Sequence, residues 1–437
     1  GNCKIMKLCM IGTGYVGLVS GVCFSDLGNN VVCVDKDKEK INLLNNGIIP
    51  IYEPGLEEIL KRNFKANRLT FTTDLKKAVS NSDIIFICVG TPTKKKSNSA
   101  DLKYVFSVAH ELKKIISKYK IIITKSTVPV TTGDKIEKIL NNFKKKKLVD
   151  IVSNPEFLRE GEAIRDFVYP DRVIIGTDSK KANRILRSLY LPIIKKTSRY
   201  FNTSRRGAEM IKYASNAFLA TKISYINELA NLCEKTGVDI KDISFGMGLD
   251  QRIGERFLRA GPAYGGSCFP KDTKALIDIA NKFKTNLSIV KSVVKSNNQR
   301  KFLLINKVEK ILKRKFKNKT ITFLGVTFKP NTDDMREASS IPMINYLSKK
   351  NCKIRYYDPS GEKKVFKKIK NVKFCKNISS ACLKSDLIII HTEWNDFKFL
   401  NFKHLVKKKN IVIYDMRNIY SPIKMRKMKI KHFGIGR

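Results

Sequence analysis

The sequence predicts an α/β protein in which two doubly wound, Rossmann-like domains are joined by a long central helical segment. Three observations lead to this prediction. The chain has 437 residues, which is more than one compact core usually holds. Short apolar runs alternate with helical patterns near both ends, and a long stretch with helical spacing separates them. We therefore expect three regions, at residues 1–204, 205–315 and 316–437.

A strand, a turn, a helix and a second strand open the first region. Residues 7–11 and 30–34 are apolar and strand-like, and a helical stretch that reaches Leu27 lies between them. Because strands and helices alternate, we expect a largely parallel sheet with helices on both faces. Further strands of this sheet are predicted at residues 83–89, 121–125, 149–153 and 172–176.

The turn after the first strand has the spacing Gly12-x-Gly14-x-x-Gly17. The first glycine permits a tight turn, the second lets a pyrophosphate approach the backbone, and the third lets helix and strand pack closely. Asp35 ends the second strand, where a carboxylate accepts ribose hydroxyls and repels a 2′-phosphate. This unit predicts a domain that binds NAD, while two lysines that flank Asp35 leave NADP as the alternative.

The second region is predicted to be helical. Residues 205–235 contain no proline and one glycine, and residues 274–315 continue the helical pattern. We expect the first helix to be mostly buried, because apolar residues recur at helical spacing. These residues are Ile211, Ala214, Phe218, Ile223, Ile226 and Leu229.

The third region repeats the alternation of strands and helices without a second glycine turn. We therefore expect another doubly wound domain that binds a different ligand. Its strands are predicted at residues 320–325, 353–357, 386–391 and 410–415.

Basic residues dominate the charge, with 86 Lys and Arg against 39 Asp and Glu, for a net charge of +47. The lysines are scattered in runs such as Lys94–Lys96 and Lys144–Lys147, without an aromatic–basic motif or a zinc finger. We therefore expect no dedicated nucleic-acid site, but a positive field that attracts phosphorylated small molecules. No apolar run approaches the roughly 18 residues that cross a bilayer, so no membrane span is expected.

The ten cysteines include no CxxC pair of the kind that binds zinc, and the four histidines have no metal-ligand spacing. Cys9, Cys33 and Cys88 lie in apolar strand-like runs, where free thiols are commonly buried. The N-terminal residues lack the pattern of a secretion signal. Together these features predict a reducing, cytoplasmic location and no metal site.

Cys268 has different neighbours from the other cysteines. Two glycines precede it and would permit a ligand to approach the backbone closely. Lys271 supplies a positive charge that favours the thiolate, and Asp272 is a candidate general base or water-positioning group. Phe269 precedes a proline and is therefore expected to be extended. A glycine-rich loop with an unreactive thiol remains the alternative.

A lysine and an amide share one side of the long central helix. Lys212 and Asn216 are four residues apart, so their side chains project from the same face. Such a pair can stabilise a developing oxyanion, although a snorkelling lysine and a core amide would show the same spacing. A dinucleotide, a thiol and this pair together predict redox chemistry at a carbon that bears oxygen.

Over essentially its whole length, the chain resembles the UDP-glucose 6-dehydrogenases, within the UDP-glucose/GDP-mannose dehydrogenase superfamily. Seven motifs in the family's order carry this resemblance. They are GTGYVG (12–17), VGTPT (89–93), STVP (126–129), NPEFLREG (154–161), GAEMIKYASNAF (207–218), GGSCFPKD (265–272) and GVTFKPNTDDMREASS (325–340). The resemblance implies a homodimer or higher homo-oligomer that oxidises UDP-glucose to UDP-glucuronate with two NAD.

The resemblance also implies the course of catalysis. After a first oxidation at C6, Cys268 attacks the aldehyde, and the thiohemiacetal is oxidised to a thioester that water hydrolyses. The other residues implied in catalysis are Lys212 and Asn216 as an oxyanion-stabilising pair, Asp272 for water activation, Thr127 for positioning and Glu156 in the water network.

The implied binding residues divide by ligand. For NAD they are, besides the glycines of the turn, Val16, Asp35, Lys40, Thr91, Thr127, Glu160, Lys271 and Arg336. For the UDP-sugar they are Glu156, Phe157, Leu158, Arg159, Lys212, Asn216, Phe257, Leu258, Arg259, Gly261, Gly265 and Lys329. Arg252 is expected to reach the site of a neighbouring subunit. Arg417 is a further candidate for the sugar site, although Met416 replaces the family's usual glycine before it.

Other activities remain as alternatives. GDP-mannose enzymes often carry Leu where Phe269 stands, and UDP-N-acetylmannosamine enzymes typically carry His where Ser267 stands, so UDP-glucose is favoured. The β-hydroxyacid dehydrogenases share the glycine turn and the spacing of Gly207, Lys212 and Asn216, but they have no catalytic thiol. A basic nucleic-acid-binding protein on an inactive dehydrogenase fold is the last alternative, and the filled catalytic positions disfavour it.

Overall fold

The structure of the protein is a computed structural model, and it describes residues 4–141, 148–194 and 199–437. The lysine run at 144–147 and Cys3 lie outside the described residues. Within the described part of the chain, no helix combines the length and the apolar character that crossing a membrane requires.

The chain divides into two compact units. The first comprises Gly1–Ser215 with Asp278–Thr285, and the second comprises Asn216–Ile277 with Asn286–Arg437. Each unit contains one sheet, and one long helix begins in the first unit and ends in the second. The division into three regions stays a prediction.

Eight strands form the sheet of the first unit. They are β1 (Lys7–Ile11), β2 (Asn30–Val34), β3 (Leu69–Thr72), β4 (Ile84–Ile87), β5 (Lys120–Thr124), β6 (Val149–Ser153), β7 (Arg172–Gly176) and β8 (Arg199–Thr203). Their order across the sheet is β3-β2-β1-β4-β5-β6-β7-β8. All neighbouring strands are parallel except β6 and β7, which pair antiparallel through Ser153 and Gly176.

Helices cover both faces of this sheet. Met10 and Phe86 belong to one apolar core, whereas the adjacent residues Cys9 and Ile85 belong to another. Because successive side chains of a strand point to opposite faces, two cores require helices on both sides, and the unit is doubly wound as predicted. The helices are α1 (Tyr15–Asp26), α2 (Lys38–Asn45), α3 (Leu56–Lys65), α4 (Leu75–Ser80), α5 (Lys103–Ile115), α6 (Thr132–Leu140), α7 (Ala163–Val168) and α8 (Lys180–Ile194).

Six strands form the sheet of the second unit. They are β9 (Thr320–Leu324), β10 (Lys353–Tyr357), β11 (Val372–Phe374), β12 (Leu387–Ile390), β13 (Val412–Asp415) and β14 (Lys431–Phe433). Their order is β11-β10-β9-β12-β13-β14, and every neighbouring pair is parallel. The predicted fold class is therefore confirmed.

The remaining helices of the described chain include the long central helix. They are α9 (Arg205–Thr236), α10 (Ile240–Gly248), α11 (Phe269–Lys282), α12 (Ser288–Ile311), α13 (Ser340–Lys349), α14 (Ile378–Cys382), α15 (Phe402–Val406) and α16 (Pro422–Lys427), with 3₁₀ turns at Lys364–Phe366 and Asn395–Phe397. The helix predicted at 274–315 is thus two helices. Lys284, with φ +55, adopts the left-handed conformation that commonly follows a helix.

The four strands that sequence analysis missed are the four edges of the two sheets. β3, β8, β11 and β14 are three to five residues long and lack a continuous apolar run. An edge strand pairs on one side only and is often kept short and polar, so the apolar pattern that predicts central strands is weak there.

The buried face of α9 agrees with the prediction only in part, since Ile226 is fully buried but other predicted residues are not. Ala214 is exposed and Phe218 is 66% exposed, whereas Tyr213 and Ala217 are buried. Apolar spacing identifies a face of a helix, but it does not distinguish packing within one chain from a face left open.

Candidate active site

The glycine turn connects β1 to α1 at the carboxyl end of β1. A Cβ on Gly12, which has φ +103, would lie 3.0 Å from the carbonyl carbon of Cys88, and a Cβ on Gly17 would lie 1.9 Å from the carbonyl oxygen of Gly12. Gly14 differs, because a Cβ on it would meet none of the described heavy atoms within 4 Å. The turn therefore leaves space at the N-terminus of α1, next to the half-buried Val16, where a pyrophosphate is favoured. These residues fit a dinucleotide.

Asp35 follows β2 beside this turn. Its Oδ2 accepts hydrogen bonds from the N–H (2.9 Å) and the hydroxyl (2.6 Å) of Thr13, and its Oδ1 accepts the N–H of Asp37 (3.0 Å). Burial opposes ionisation, but these bonds and Lys40, whose Nζ lies 4.0 Å from Oδ2, lower the pKa of Asp35 overall. A fixed negative charge at this place favours ribose hydroxyls over a 2′-phosphate.

Glu53, which sequence analysis missed, holds the segment that follows Glu160. Its carboxylate accepts the N–H groups of Gly161 (2.8 Å) and Ala163 (2.9 Å), and it also accepts the phenol of Tyr15 from the glycine turn. Burial and this carboxylate raise the pKa of Tyr15. One buried acid therefore connects the turn to a segment more than 100 residues away, a contact that no local pattern reveals.

The loops after β4 and β5 are hydrogen-bonded to each other. Thr91 Oγ1 donates to the carbonyl oxygen of Thr127 (2.8 Å), and Ser126 Oγ donates to that of Val89 (2.7 Å). Parallel strands bring their carboxyl ends to one edge of the sheet, which is where open α/β sheets bind ligands. Thr91 and Thr127 thus lie on the edge that carries the glycine turn.

The side chains of Glu156 and Lys212 lie together in the first unit. Lys212 Nζ donates to the carbonyl oxygen of Glu156 (2.6 Å) and lies 3.6 Å from its Oε1. Glu156 Oε2 accepts the N–H of Leu158 (2.6 Å), and the guanidinium of Arg172 stacks 3.5 Å from the ring centroid of Phe157. Both Lys212 and Glu156 are buried, so the ammonium and the main chain of this segment are held in fixed positions.

Arg159, in the same segment, is turned toward another acid. Its guanidinium donates to both oxygens of Asp166 (2.8 and 2.9 Å), and its side chain remains 46% exposed. The prediction for the sugar site concerns the backbone of Arg159, and the ion pair with Asp166 helps to fix the position of that backbone.

Glu209 of α9 is a second residue that sequence analysis missed. Its buried carboxylate accepts the N–H groups of Thr131 (3.1 Å) and Gly133 (2.9 Å) at the start of α6. Burial raises the pKa of Glu209 to about 7, although these two hydrogen bonds act in the opposite direction. The loop between Thr127 and α6 is therefore anchored by a carboxylate that titrates near neutral pH.

Cys268 immediately precedes α11 in the second unit. Its thiol is partly exposed, and Sγ lies 3.5 Å from the hydroxyl of Ser267. Asp272, one helical turn later, is buried. Its Oδ1 lies 2.8 Å from Nζ of Lys271, and its Oδ2 accepts Nδ2 of Asn216 (2.7 Å). The structure thus brings together a thiol, a fixed carboxylate, an amide and a cation that the sequence predicted as one constellation.

The expectation that Phe269 is extended is wrong. Phe269 is the first residue of α11, and Pro270 lies in the first turn, where its missing N–H removes no helical hydrogen bond. The ring of Phe269 packs edge-on against Phe257 and Tyr264, with centroids 6.1 and 6.0 Å apart. This packing overrides the local preference for extended backbone.

The two glycines before the cysteine are required by protein packing. A Cβ on Gly265 would lie 2.6 Å from the carbonyl oxygen of Glu337, and one on Gly266 would lie 2.7 Å from the ring of Phe328. Gly266 also has φ +89 and donates its N–H to the carbonyl oxygen of Arg336 (2.8 Å). Protein atoms, rather than free space for a ligand, therefore lie where these two side chains would begin.

The segment from Phe257 to Gly261 has an irregular backbone. Phe257 has φ +63, Leu258 is buried, and Arg259 Nη2 donates to the carbonyl oxygen of Arg417 (2.8 Å). These residues lie within the second unit, and their roles toward a sugar nucleotide stay predictions.

Arg417 is half-buried and connects three segments. It donates to the carbonyl oxygens of His391 (2.7 Å) and Phe328 (3.0 Å), and its Nη1 lies 3.5 Å from Oε2 of Glu393. These contacts support the loops after β9, β12 and β13, whatever ligand lies beyond them.

Two of the predicted binding arginines are paired with nearby acids. Arg252 is bound to Asp250 (2.7 Å) with its side chain 89% exposed, and Arg336 is bound to Asp334 (2.7 Å). Lys329 Nζ lies 5.6 Å from the ring centroid of the preceding phenylalanine. The structure leaves Arg252 directed away from the core of its own chain.

The described residues hold no candidate metal cluster, and one concavity lies away from the predicted site. Among the described residues, no three His, Cys, Asp or Glu side chains are arranged to hold a metal ion. A concavity of about 810 Å³ is lined by Lys7, Asn30 and Arg68, among others. Lys7 and Asn30 begin β1 and β2, so this concavity lies at the opposite edge of the sheet from the glycine turn.

Comparisons with known proteins agree in family and in domain order. Three models of the UDP-glucose/GDP-mannose dehydrogenase family match, namely the NAD binding domain at residues 6–194, the central domain at 206–299 and the UDP binding domain at 322–422. The chain is 46% identical over 435 residues to the UDP-glucose 6-dehydrogenase of Rhizobium meliloti, covering 99% of this chain and 100% of that protein.

Two solved structures show the same fold over the whole chain. A UDP-glucose dehydrogenase from Pyrobaculum islandicum matches with a TM-score of 0.90 and 32% identity, covering 99% of this chain and 98% of that one. A UDP-D-ManNAc dehydrogenase from Pyrococcus horikoshii matches with a TM-score of 0.84 and 25% identity, covering 99% of each chain.

Proposed function

The chain belongs to the UDP-glucose/GDP-mannose dehydrogenase family, and we propose that it oxidises C6 of UDP-glucose twice to give UDP-glucuronate. The glycine turn would hold NAD, which would supply the hydride acceptor for both oxidations, while the proton of the oxidised hydroxyl passes to water. The observation that carries the proposal is the partly exposed thiol of Cys268, one helical turn before a carboxylate fixed by Lys271 and Asn216.

Cys268 is the proposed nucleophile. Its thiolate adds to the C6 aldehyde, which forms a C–S bond and an oxyanion that takes up a proton. Oxidation of this thiohemiacetal gives a thioester. Water then attacks C6, the C–S bond breaks, and the thiolate leaves with the carboxylate product released. Because the aldehyde stays covalently bound, both oxidations are completed before the sugar nucleotide dissociates.

The buried polar groups are proposed to handle charge and water. Lys212 and Asn216 are held in place by Glu156 and Asp272 respectively, so their donors need little reorganisation to stabilise an oxyanion. Asp272 is the proposed base that activates the hydrolytic water, with Glu156 and Thr127 positioning water. The binding residues implied by the resemblance are proposed for NAD and for the UDP-sugar in the same roles.

We propose a homodimer or higher oligomer built on α9. Phe218, Tyr225 and Leu232 are spaced by seven residues, so they form one stripe on the helix, and they are 66%, 52% and 58% exposed. An apolar stripe of this kind is expected to be buried by a second copy of the chain. Phe218→Glu should shift sedimentation toward the monomer, while Phe283→Glu, at a residue 59% exposed outside the stripe, should not. Equal sedimentation of both variants would contradict this interface.

The proposed location is the cytoplasm. None of the nine cysteines in the described part of the chain is in a disulfide, which is typical of reducing compartments. An oxidising compartment would be indicated if the protein isolated from its cells, alkylated at once, carried disulfides.

The test of the proposed reaction is the number of NADH formed per limiting UDP-glucose, followed by absorbance. Two NADH per UDP-glucose are expected. One NADH would mean that the aldehyde is released and that the role of Cys268 is wrong. GDP-mannose and UDP-N-acetylmannosamine are assayed in parallel, because the same chemistry on another nucleotide sugar is the second candidate. That candidate is favoured by the likeness to the Pyrococcus horikoshii structure, whereas Ser267 and Phe269 favour UDP-glucose. Salt-sensitive RNA binding with no NADH from any sugar would instead support the nucleic-acid alternative.

A further inference from the structure

Three buried polar side chains bind the main chain of residues 261–264, a few residues before the cysteine loop. Asn227 comes from α9, and Asn297 and Arg300 come from α12, all within the second unit. Their exposed fractions are 2%, 4% and 4%. None of the three belongs to the motifs that identified the family.

Arg300 makes the most unusual of these contacts. Its Nε donates to the carbonyl oxygen of Gly261 (2.8 Å), and its Nη1 donates to the carbonyl oxygen of Asn227 (3.2 Å) and to Oδ1 of Asn231 (3.1 Å). All three acceptors are neutral. Burying a guanidinium among neutral groups is unfavourable, and burial lowers the pKa of Arg300 accordingly. Because its burial costs free energy, we expect Arg300 to serve a function other than stabilising the fold.

The two amides complete the set by pairing with the same segment. Asn297 Oδ1 accepts the N–H of Tyr264 (2.8 Å), and its Nδ2 donates to the carbonyl oxygen of Tyr264 (3.0 Å). Asn227 Oδ1 accepts the N–H of Gly261 (2.9 Å). The N–H and the carbonyl of both Gly261 and Tyr264 are thus bound by side chains, so the path of the segment is fixed at two points.

We propose that Asn227, Asn297 and Arg300 are positioning residues that hold residues 261–264 and thereby place the sugar-binding segment and Cys268 for reaction. The inference rests on the proposed function, since residues 257–261 and Gly265 are assigned to the UDP-sugar only there. Displacement of a binding segment by about 1 Å can cost on the order of 100-fold in rate. Loss of these contacts should therefore affect the sugar nucleotide and spare NAD, which binds at the glycine turn of the first unit.

The experiment compares Arg300→Met, Arg300→Lys and Asn297→Ser with the wild-type enzyme. We expect Arg300→Met to raise KM for UDP-glucose by about 10- to 100-fold, with KM for NAD changed less than about 2-fold. Arg300→Lys keeps one donor and the charge, so it should recover part of the loss. Asn297→Ser introduces no buried charge change and provides a second variant if Arg300→Met fails to fold.

Arg355→Met is the matched control. Arg355 also donates to carbonyl oxygens of a neighbouring segment, including that of Leu383 (2.6 Å), but it touches none of residues 261–264. We expect it to alter Tm without altering KM for UDP-glucose. If Arg300→Met and Asn297→Ser change Tm but leave both KM for UDP-glucose and kcat at the wild-type values, these residues are only structural and the inference is overturned. Equal changes in the KM for UDP-glucose and the KM for NAD would overturn it as well.

Hydrogen exchange separates this inference from the proposed reaction. Mass spectrometry of the free enzyme should show amide exchange in residues 261–264 faster by on the order of 10-fold in Arg300→Met and Asn297→Ser, and unchanged in Arg355→Met. If wild-type enzyme oxidises no nucleotide sugar, the proposed function fails, while this exchange difference still decides whether the segment is held as inferred. Unchanged exchange in both variants overturns the inference even if turnover is normal.

Discussion

The contrast between Gly14 and Gly17 gives the most direct test of how the turn binds NAD. Gly14 has φ −70 and ψ −167, which alanine also adopts, and a Cβ there would meet none of the described heavy atoms within 4 Å. Gly14→Ala lowers the entropy of the unfolded chain but weakens the N-cap of α1, so the two effects oppose each other. The net change in unfolding free energy of the free protein is expected within about 1 kcal/mol of zero.

Gly14→Ala should weaken the binding of NAD even though it hardly changes stability. The new methyl group at Gly14 would fill the space into which a pyrophosphate fits, and overpacking typically costs about 1–3 kcal/mol. We therefore expect the Kd for NAD, measured by titration calorimetry, to rise by about 10- to 100-fold. The sugar nucleotide plays no part in this measurement.

Gly17→Ala is the control, because it should lower the stability of the free protein, which Gly14→Ala should leave nearly unchanged. Its Cβ would lie 1.9 Å from the carbonyl oxygen of Gly12, so the backbone must move. We expect a loss of at least about 3 kcal/mol, which corresponds to a decrease in Tm of roughly 6–12 °C. If Gly14→Ala binds NAD as tightly as the wild type, the pyrophosphate does not approach the backbone there. If Gly17→Ala leaves Tm unchanged, the packing argument itself is refuted.

Three further predictions address single side chains. Glu53→Gln removes a charged acceptor from two backbone donors and should lower Tm by roughly 4–8 °C, since about 2 kcal/mol of stability is lost. Its control is Glu57→Gln, at an exposed residue, which should cost under about 1 kcal/mol. Equal Tm values for the two variants would contradict this prediction. Glu209 has a folded pKa of about 7 against an ordinary value of 4.5, so its contribution to stability is complete below pH 4.5 and is lost as the pH rises through 7. Denaturation across this range should show Glu209→Gln gaining about 3 kcal/mol relative to the wild type, and a constant difference would show that Glu209 does not titrate there. Cys268→Ser should lower kcat by about three orders of magnitude or more with Tm little changed, and retained turnover would exclude the thioester route.

Much of the fold follows from the sequence because the strands in the middle of each sheet are short apolar runs. β1, β2, β6, β7 and β10 have the predicted bounds, since an apolar run and a turn residue define each end. Edge strands, by contrast, carry a weak pattern because they pair on one side only and stay short and polar. The predicted burial of α9 was wrong at Phe218 for a different reason, because this residue is apolar yet faces outward in the single chain, whereas Ile226 is buried as predicted.

The candidate site was predictable where its motif is local and not where its partners are distant. The spacing of Gly12, Gly14 and Gly17 is enough to place them in one turn, and the spacing of Cys268 and Asp272 is enough to place them one helical turn apart. Glu53 could not be found in this way, because nothing in the neighbouring sequence shows that a carboxylate caps a segment far along the chain. The packing of the paired glycines before Cys268 could not be predicted for the same reason, since the residues that they pack against are distant in sequence, and their role toward a ligand stays a prediction.

The contacts of Asn227, Asn297 and Arg300 have a consequence for enzyme engineering. Four of their hydrogen bonds join main-chain atoms of Gly261 and Tyr264 and so fix the length and path of that segment. The side chain of Tyr264 also packs against Ala220 of α9 and Val293 of α12. A segment of equal length that keeps Tyr264 is therefore transplantable from an enzyme of different sugar preference without redesign of α9 or α12. A single-residue insertion should not be tolerated, because it would place a different carbonyl group opposite the guanidinium of Arg300.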